Sequence, residues 1–279
     1  MSLFKFKFRP PHLGKYPMEQ VKRVDKPTTR IDTEKVKRVP LRAAFFTRPM
    51  FGDLGDKVKE ERARFINKSP LSEAIGEVMQ AMIPLHEGPV AEEQAPFTDD
   101  PEMMAKHIKS LAYFLDMDIV GICEVPDYAW YTHDGKGNPV EAKHKYALVC
   151  LIDQGYETME GASGDDWISG TQSYRAYLRG AEVGSVIAGY IRKLGFDARC
   201  HSAPSGPVQQ IPLMLLAGLG ELSRIGELVL NPFIGPRSKT VVVTTALPMA
   251  GDKPIDFGLQ NFCHNCFTCA RDCPCHPIP

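Results

Sequence analysis

The chain has 279 residues, 43% of them hydrophobic, enough for one large domain or a domain with an appendage. Its 33 Lys and Arg against 34 Asp and Glu leave a formal charge of -1, so no global field points to nucleic acid or a membrane surface. No run of about eighteen apolar residues occurs, which excludes a bilayer-spanning helix from the expectation. The lack of an apolar leader stretch and of any Arg-Arg pair argues against Sec or Tat export and for a cytoplasmic setting.

In chain order, residues 1–43 come first as a basic, extended arm opening on FKFKF. It either serves an acidic partner or lies over the body. DKVKEERARFINK predicts a helix, and SPLSEAIGEVMQAM a second with Ser69 as N-cap and Pro70 at its first position. After the loop EGPVAEEQAPFTDD, a helix capped by Asp100 carries Met104, Ile108, Leu111 and Leu115 along one face. DIVGICEV and KYALVCLID read as buried strands around a hairpin-like excursion turning at HDGKGNP. SYRAYLRGAEVGSVIAGYIRKLGF predicts a strong helix with Arg192 and Lys193 in its last turn and Gly195 as its C-cap. FDARCH is a strand, QQIPLMLLAGLG a short apolar helix and SKTVVVTTALPM a strand. Strands interleaved with helices predict an α/β or α+β layered sheet, α+β being the class the resemblance below implies.

Cysteine usage divides the chain. Cys123, Cys150 and Cys200 stand singly in apolar stretches or at a strand end and read as buried free thiols. The other five crowd into FCHNCFTCARDCPCHPIP, where Cys263, Cys266, Cys269 and Cys273-Pro274 spell C-x2-C-x2-C-x3-C-P. That is the bacterial ferredoxin run for a [4Fe-4S] cluster. Zinc sites usually pair two C-x-x-C units across a longer loop, and a disulfide framework fits neither the spacing nor a reducing compartment. In two-cluster proteins the fourth cysteine of the run ligates the other cluster. The sequence ends six residues after Cys273, which suggests a piece of a longer protein with two clusters when complete.

The stretch GLGELSRIGELVLNPFIGPRSKTVVVTTALPM, followed by DKPIDFGLQNFCHNC and the cysteine run, resembles the cobalamin-dependent reductive dehalogenases, above all their cytoplasmic, catabolic branch acting on halogenated phenols. The resemblance is close over 200–275 and extends back to about 100. It implies a nitroreductase-like sheet with flanking helices as the cobalamin-binding core over 44–258, then the start of a ferredoxin-like module over 259–279. Cobalamin would be bound base-off. No D-x-H-x-x-G occurs, so no histidine is a candidate for replacing the lower cobalt ligand. Electrons would come from an external ferredoxin, flavodoxin or reductase; neither a membrane nor nucleic acid is expected as a partner. In the phenol branch a further basic residue that holds the substrate comes from beyond the first cluster motif, past the end of this sequence.

The resemblance also implies a proton donor: a helix tyrosine paired with a Lys or Arg opening a later strand, which falls on Tyr177 and Lys239, with Tyr174 and Arg237 in reserve. A phenol donates more readily when a nearby cation stabilises its phenolate. Tyr177 shares a helix face with Gly180, Ala181 and Gly184, either a ledge for a flat macrocycle or a close-packing surface. Candidate corrin contacts fall in the polar, glycine-bearing loops: His201, Ser202, Gly218, Gly220, Glu221, Arg224, Asn231 and Arg237. Trp130 and Tyr131 either wall a substrate pocket or cover a sheet edge. The competing readings are an epoxyqueuosine reductase-like enzyme acting on tRNA, and an iron–sulfur electron carrier or inactive fragment.

Overall fold

The computed structural model describes residues 13–66, 68–96, 99–162, 166–275 and 278. Three helices lead in: α1 (Asp56–Ile66), α2 (Pro70–Met82) and α3 (Pro101–Phe114). Ser69 caps α2 by accepting from the Ser72 amide, and Asp100 caps α3 by accepting from the amides of Glu102 and Met103. Each cap satisfies amides that the first helical turn leaves without a partner. The strands β1 (Ile119–Glu124) and β2 (Tyr146–Asp153) follow, then a short helix α4 (Tyr156–Glu160) and the long helix α5 (Trp167–Lys193). Next come β3 (Ala198–His201), α6 (Gln210–Leu216), the small strands β4 (Glu221–Leu222) and β5 (Val229–Leu230), and β6 (Ser238–Thr245). The cysteine segment forms α7 (Leu259–Cys266) and α8 (Thr268–Arg271). The β4–β5 ladder and the short α4 are elements that the sequence pattern does not announce, because segments this short carry no periodicity, and α5 starts at Trp167, six residues before the predicted helix.

The main sheet runs β1-β2-β6-β3 and every pair is antiparallel. Strand side chains alternate between faces. Val120, Ile122, Leu148, Cys150, Ile152, Val241 and Val243 join α3 and α5 in one core. Ile119, Cys123, Ala147, Val149, Leu151 and Val242 join α6, Trp130 and Met18 in the other. Both faces are covered, which is why these strands read as continuous apolar runs. The three lone cysteines are buried in these cores as free thiols.

The twenty-seven-residue α5 is about 40 Å long. A Cβ added at Gly184 would sit 2.6 Å from the Cys200 sulfur and 2.8 Å from Val241, and one at Gly180 would sit 3.1 Å from Val241. These glycines therefore let the helix settle on the sheet; they form no open ledge. Gly195 has φ +88° and lies against the backbone of Glu93 and Gln94, so it supplies both the left-handed turn and the space. Arg192, buried in the last turn, donates to the carbonyls of Leu85, His86 and Ala198.

The FKFKF opening lies outside the described residues. From residue 13 onward, several side chains of the arm bond to the body, while Arg30 and Lys35 pair with Asp32 inside the arm. Arg23 donates to Lys253 O and Gly218 O, Arg38 to Tyr131 O and Val140 O, and Thr28 to a Glu221 carboxylate oxygen at 2.7 Å. Met18 is buried in the second core. Among the described residues no helix is long and apolar enough to cross a membrane.

Candidate active site and thiol segment

The end of the sheet where β2 stops and β6 starts brings together groups distant in sequence. Lys239 pairs with Ile152 across the ladder, and its Nζ stands over the Tyr177 ring, 5.2 Å from the centroid. Neither side chain has a hydrogen-bond or ion-pair partner among the described residues. Burial pushes the Tyr177 phenol above its ordinary range, and Tyr174 nearby pushes it further the same way. Burial lowers the Lys239 ammonium. The expectation that the cation lowers the phenol's pKa is not what this geometry does, because the ammonium faces the ring and desolvation dominates. Tyr174 packs over Gly76 of α2 and is itself raised by burial.

Around this pair lies a dense polar corner. Asp153 accepts from Arg237 Nε at 3.0 Å, from the Tyr16 hydroxyl at 2.6 Å and from the Gly155 amide at 2.9 Å. Burial pushes its carboxyl up, yet the bonds from Tyr16, Gly155 and Arg237 outweigh that and hold it below the usual carboxylate range. Arg237 is thus engaged with Asp153 and not free as a reserve cation. Gln154 bonds to Gln172 and Ser173 on α5.

The predicted corrin contacts divide by what they touch. Gly218, at φ +67°, has no room for a side chain against Arg23 and Lys253, and Gly220 is pressed on Leu230 O. Asn231, buried, donates to Leu219 O at 2.7 Å and accepts from the Phe233 amide. Glu221, also buried, accepts from the amides of Phe257 at 2.8 Å and Leu259 at 3.3 Å, so its carboxylate sits at the N-terminal end of the cysteine-bearing α7. Arg224 donates to Cys263 O at 2.5 Å and lies 4.1 Å over the Phe267 ring. The GLGELSR stretch therefore braces the thiol segment. Sequence reasoning missed this role, since nothing local links residue 221 to residue 259.

His201 belongs to a buried cluster instead of a loop. His201 Nε2 and His144 Nδ1 each lie 2.7 Å from Thr244 Oγ1, His86 Nε2 lies 3.3 Å from Ser202 Oγ, and Trp130 stands edge-on to His201. Trp130 is buried in the second core and lines, with Asp127 and Lys143, the floor of a shallow surface cavity. Burial pushes His86 down to about 4 and His201 well below the ordinary range. His86 Nδ1, His201 Nδ1 and Ser223 Oγ are buried without a protein partner among the described residues.

Cys263 and Cys266, three residues apart, share a face of α7; Phe267 at φ +51° breaks the helix, and Cys269 follows on α8. Cys263, Cys266, Cys269 and Cys273 are half-buried and Cys275 is exposed. Cys266 Sγ lies 3.1 Å from Thr268 Oγ1, and hydrogen bonds from the Thr268 hydroxyl and amide to the sulfur lower its pKa. Among the described residues no three His, Cys, Asp or Glu side chains converge on one metal position.

A helix-flanked antiparallel sheet, a half-buried Tyr–Lys pair at its end and a four-thiol segment pinned to it make up an α+β domain. No protein-family model matches the chain. It superposes on the catabolic reductive dehalogenase NpRdhA with a TM-score of 0.93 and 51% identity, over 99% of this chain and 40% of that one. The same dehalogenase in complex with 3-bromo-4-hydroxybenzoic acid matches at a TM-score of 0.92. Tetrachloroethene reductive dehalogenase of Desulfitobacterium hafniense is 36% identical over 138 residues, 49% of this chain and 24% of that protein. Over nearly its whole length the chain is similar to reductive dehalogenases, and it spans less than half the length of these relatives.

Proposed function

We propose that the chain carries the proton-donating core of a reductive dehalogenase acting on halogenated phenols. The observation that carries this reading is the half-buried Tyr177–Lys239 pair at the sheet end. It gains support from 51% identity to a dehalogenase solved with a brominated hydroxybenzoate, and from a further match described in terms of B12-dependent dehalogenation.

Replacing halogen by hydrogen consumes two electrons and one proton and releases halide. When bound, cobalamin supplies the electron chemistry at the carbon–halogen bond. Tyr177 supplies the proton from Oη. Its raised pKa keeps it protonated at neutral pH, and the half-buried site limits exchange with water. As the proton leaves, Lys239 offsets the negative charge that forms on the phenol. The buried, partnerless Nδ1 of His201 and Oγ of Ser223 are polar atoms of the kind that the amide arms of a corrin would engage. Glu221, Arg224, Asn231 and Arg237 spend their side chains inside the protein.

The thiols of Cys263, Cys266, Cys269 and Cys273 have the donor chemistry for iron–sulfur ligation, and these four would hold the clusters that pass electrons from an external donor. All eight cysteines are free, the state a reducing cytoplasm maintains.

The test is anaerobic reconstitution with cobalamin, iron and sulfide, followed by metal analysis, a visible spectrum and assay with a bromophenol under a chemical reductant. Cobalt and iron both retained, with bromide released, is the expected result. Protein that takes up iron but no cobalamin is an electron carrier, and the reading fails.

A further inference from the structure

The Tyr177–Lys239 pair has no bond of its own to hold it, yet charged side chains around it converge on one two-residue corner. Arg175 and Arg179 flank Tyr177 two positions to either side. Two residues is a rotation of roughly 200° around a helix, so both guanidiniums leave the side opposite the phenol. Arg175 donates to Gln154 O at 2.9 Å. Arg179 donates to Asp118 Oδ2 at 3.0 Å, and that same oxygen accepts the Asp153 amide at 2.9 Å. Gln154 also bonds to Gln172 and Ser173, one turn before Tyr177. Arg237 precedes Lys239 by two residues; its guanidinium is held by the Asp153 carboxylate, and its carbonyl accepts the Gln154 amide at 3.0 Å. Tyr16, from the N-terminal arm, donates to the other Asp153 oxygen.

We propose that Asp153 and Gln154 form the positioning element for the proton-donating pair, setting the rotation of α5 under Tyr177 and the start of β6 under Lys239, with Tyr16 coupling the arm to both. The inference rests on the reading of Tyr177 and Lys239 as the working pair. Asp153 itself touches neither group through a hydrogen bond. Its carboxylate has three donors from three segments, so replacing it by an amide removes one acceptor's charge while keeping the shape. The Arg237 turn then loses its ion pair, and the lysine two residues on is free to swing toward water.

The experiment uses the full chain without cofactors, so its outcome is independent of whether cobalamin binds. The pH dependence of Lys239 acylation by acetic anhydride is read by peptide mass spectrometry, with Lys109, ion-paired to Asp252, as the internal reference. In Asp153→Asn the Lys239 midpoint should rise by about half a pH unit or more, a threefold change in proton affinity, with Lys109 unmoved. Asp153→Glu should return at least part of the shift. Tyr16→Phe, which removes a single hydroxyl, should move Lys239 in the same direction by less. If Asp153→Asn fails to fold, Tyr16→Phe decides alone. An unchanged Lys239 midpoint in the folded variants, or an equal shift at Lys109, overturns the positioning role.

Discussion

The sheet-end pair and the thiol segment are both candidate chemistry, but they are built in opposite ways. Tyr177 and Lys239 come from elements sixty-two positions apart and are fixed by burial and by a corner that ties four segments together. Cys263, Cys266, Cys269 and Cys273 lie within eleven residues at the surface, and the core reaches them chiefly through Glu221 and Arg224. The first site is preorganised by packing before anything binds; the second is a ligand sequence that the fold anchors but does not gather. Preorganisation suits a proton donor, whose geometry decides its rate, whereas a metal cluster organises its own thiolates.

The largest expected effect tests the packed region directly. Tyr177→Phe should lower turnover by roughly 10²–10⁴-fold, with cobalt and iron content unchanged, and wild-type turnover would remove Tyr177 from the chemistry. Acid should weaken the packed region next. His86 and His201 are neutral in the fold and titrate higher when unfolded, so the unfolded state binds more protons below about pH 6.5. Stability is then full above that pH and falls as pH drops toward about 4, the value to which burial pushes His86. The slope is at most about 1.4 kcal/mol per pH unit for each histidine, and urea titrations at several pH values measure it. A flat profile would mean the cluster opens to water.

Gly184→Ala should cost about 1–3 kcal/mol in the same titration, because the new methyl meets Cys200 and Val241. No loss would show that α5 lifts off the sheet freely. Glu221→Gln should cost about 1–2 kcal/mol, confined to the thiol segment, with faster hydrogen exchange at the amides of Phe257 and Leu259 and none in β2 or β6. Exchange that quickens everywhere would erase the distinction between the regions. The smallest effect is chemical. In cofactor-free protein, iodoacetamide should modify Cys266 at a pH below the ordinary thiol range while Cys123, Cys150 and Cys200 stay silent, the last pushed up to about 12 by burial. Labelling of the three core thiols would mean the strands carrying them are not closed.

Local signals were enough for the caps at Ser69, Asp100 and Gly195, for the four main strands, and for the cysteine spacing, because each depends on residues within a few positions of one another. Resemblance to a family added the Tyr177–Lys239 pairing, and the structure places the two together. The faces and partners of single residues were not legible. Gly180 and Gly184 fit either a ligand ledge or a sheet contact until β3 and β6 were seen beneath them. Glu221 and Arg224, which look like loop residues beside a glycine pair, turn out to hold a helix that begins nearly forty positions later. The amino-acid sequence by itself determined the main helices and strands and the spacing of the thiols, and resemblance singled out Tyr177 and Lys239 as candidates. Tertiary structure alone decided what surrounds them, because desolvation, ion pairing at Asp153 and the close approach of α5 all depend on distances that the chain acquires only when remote segments pack.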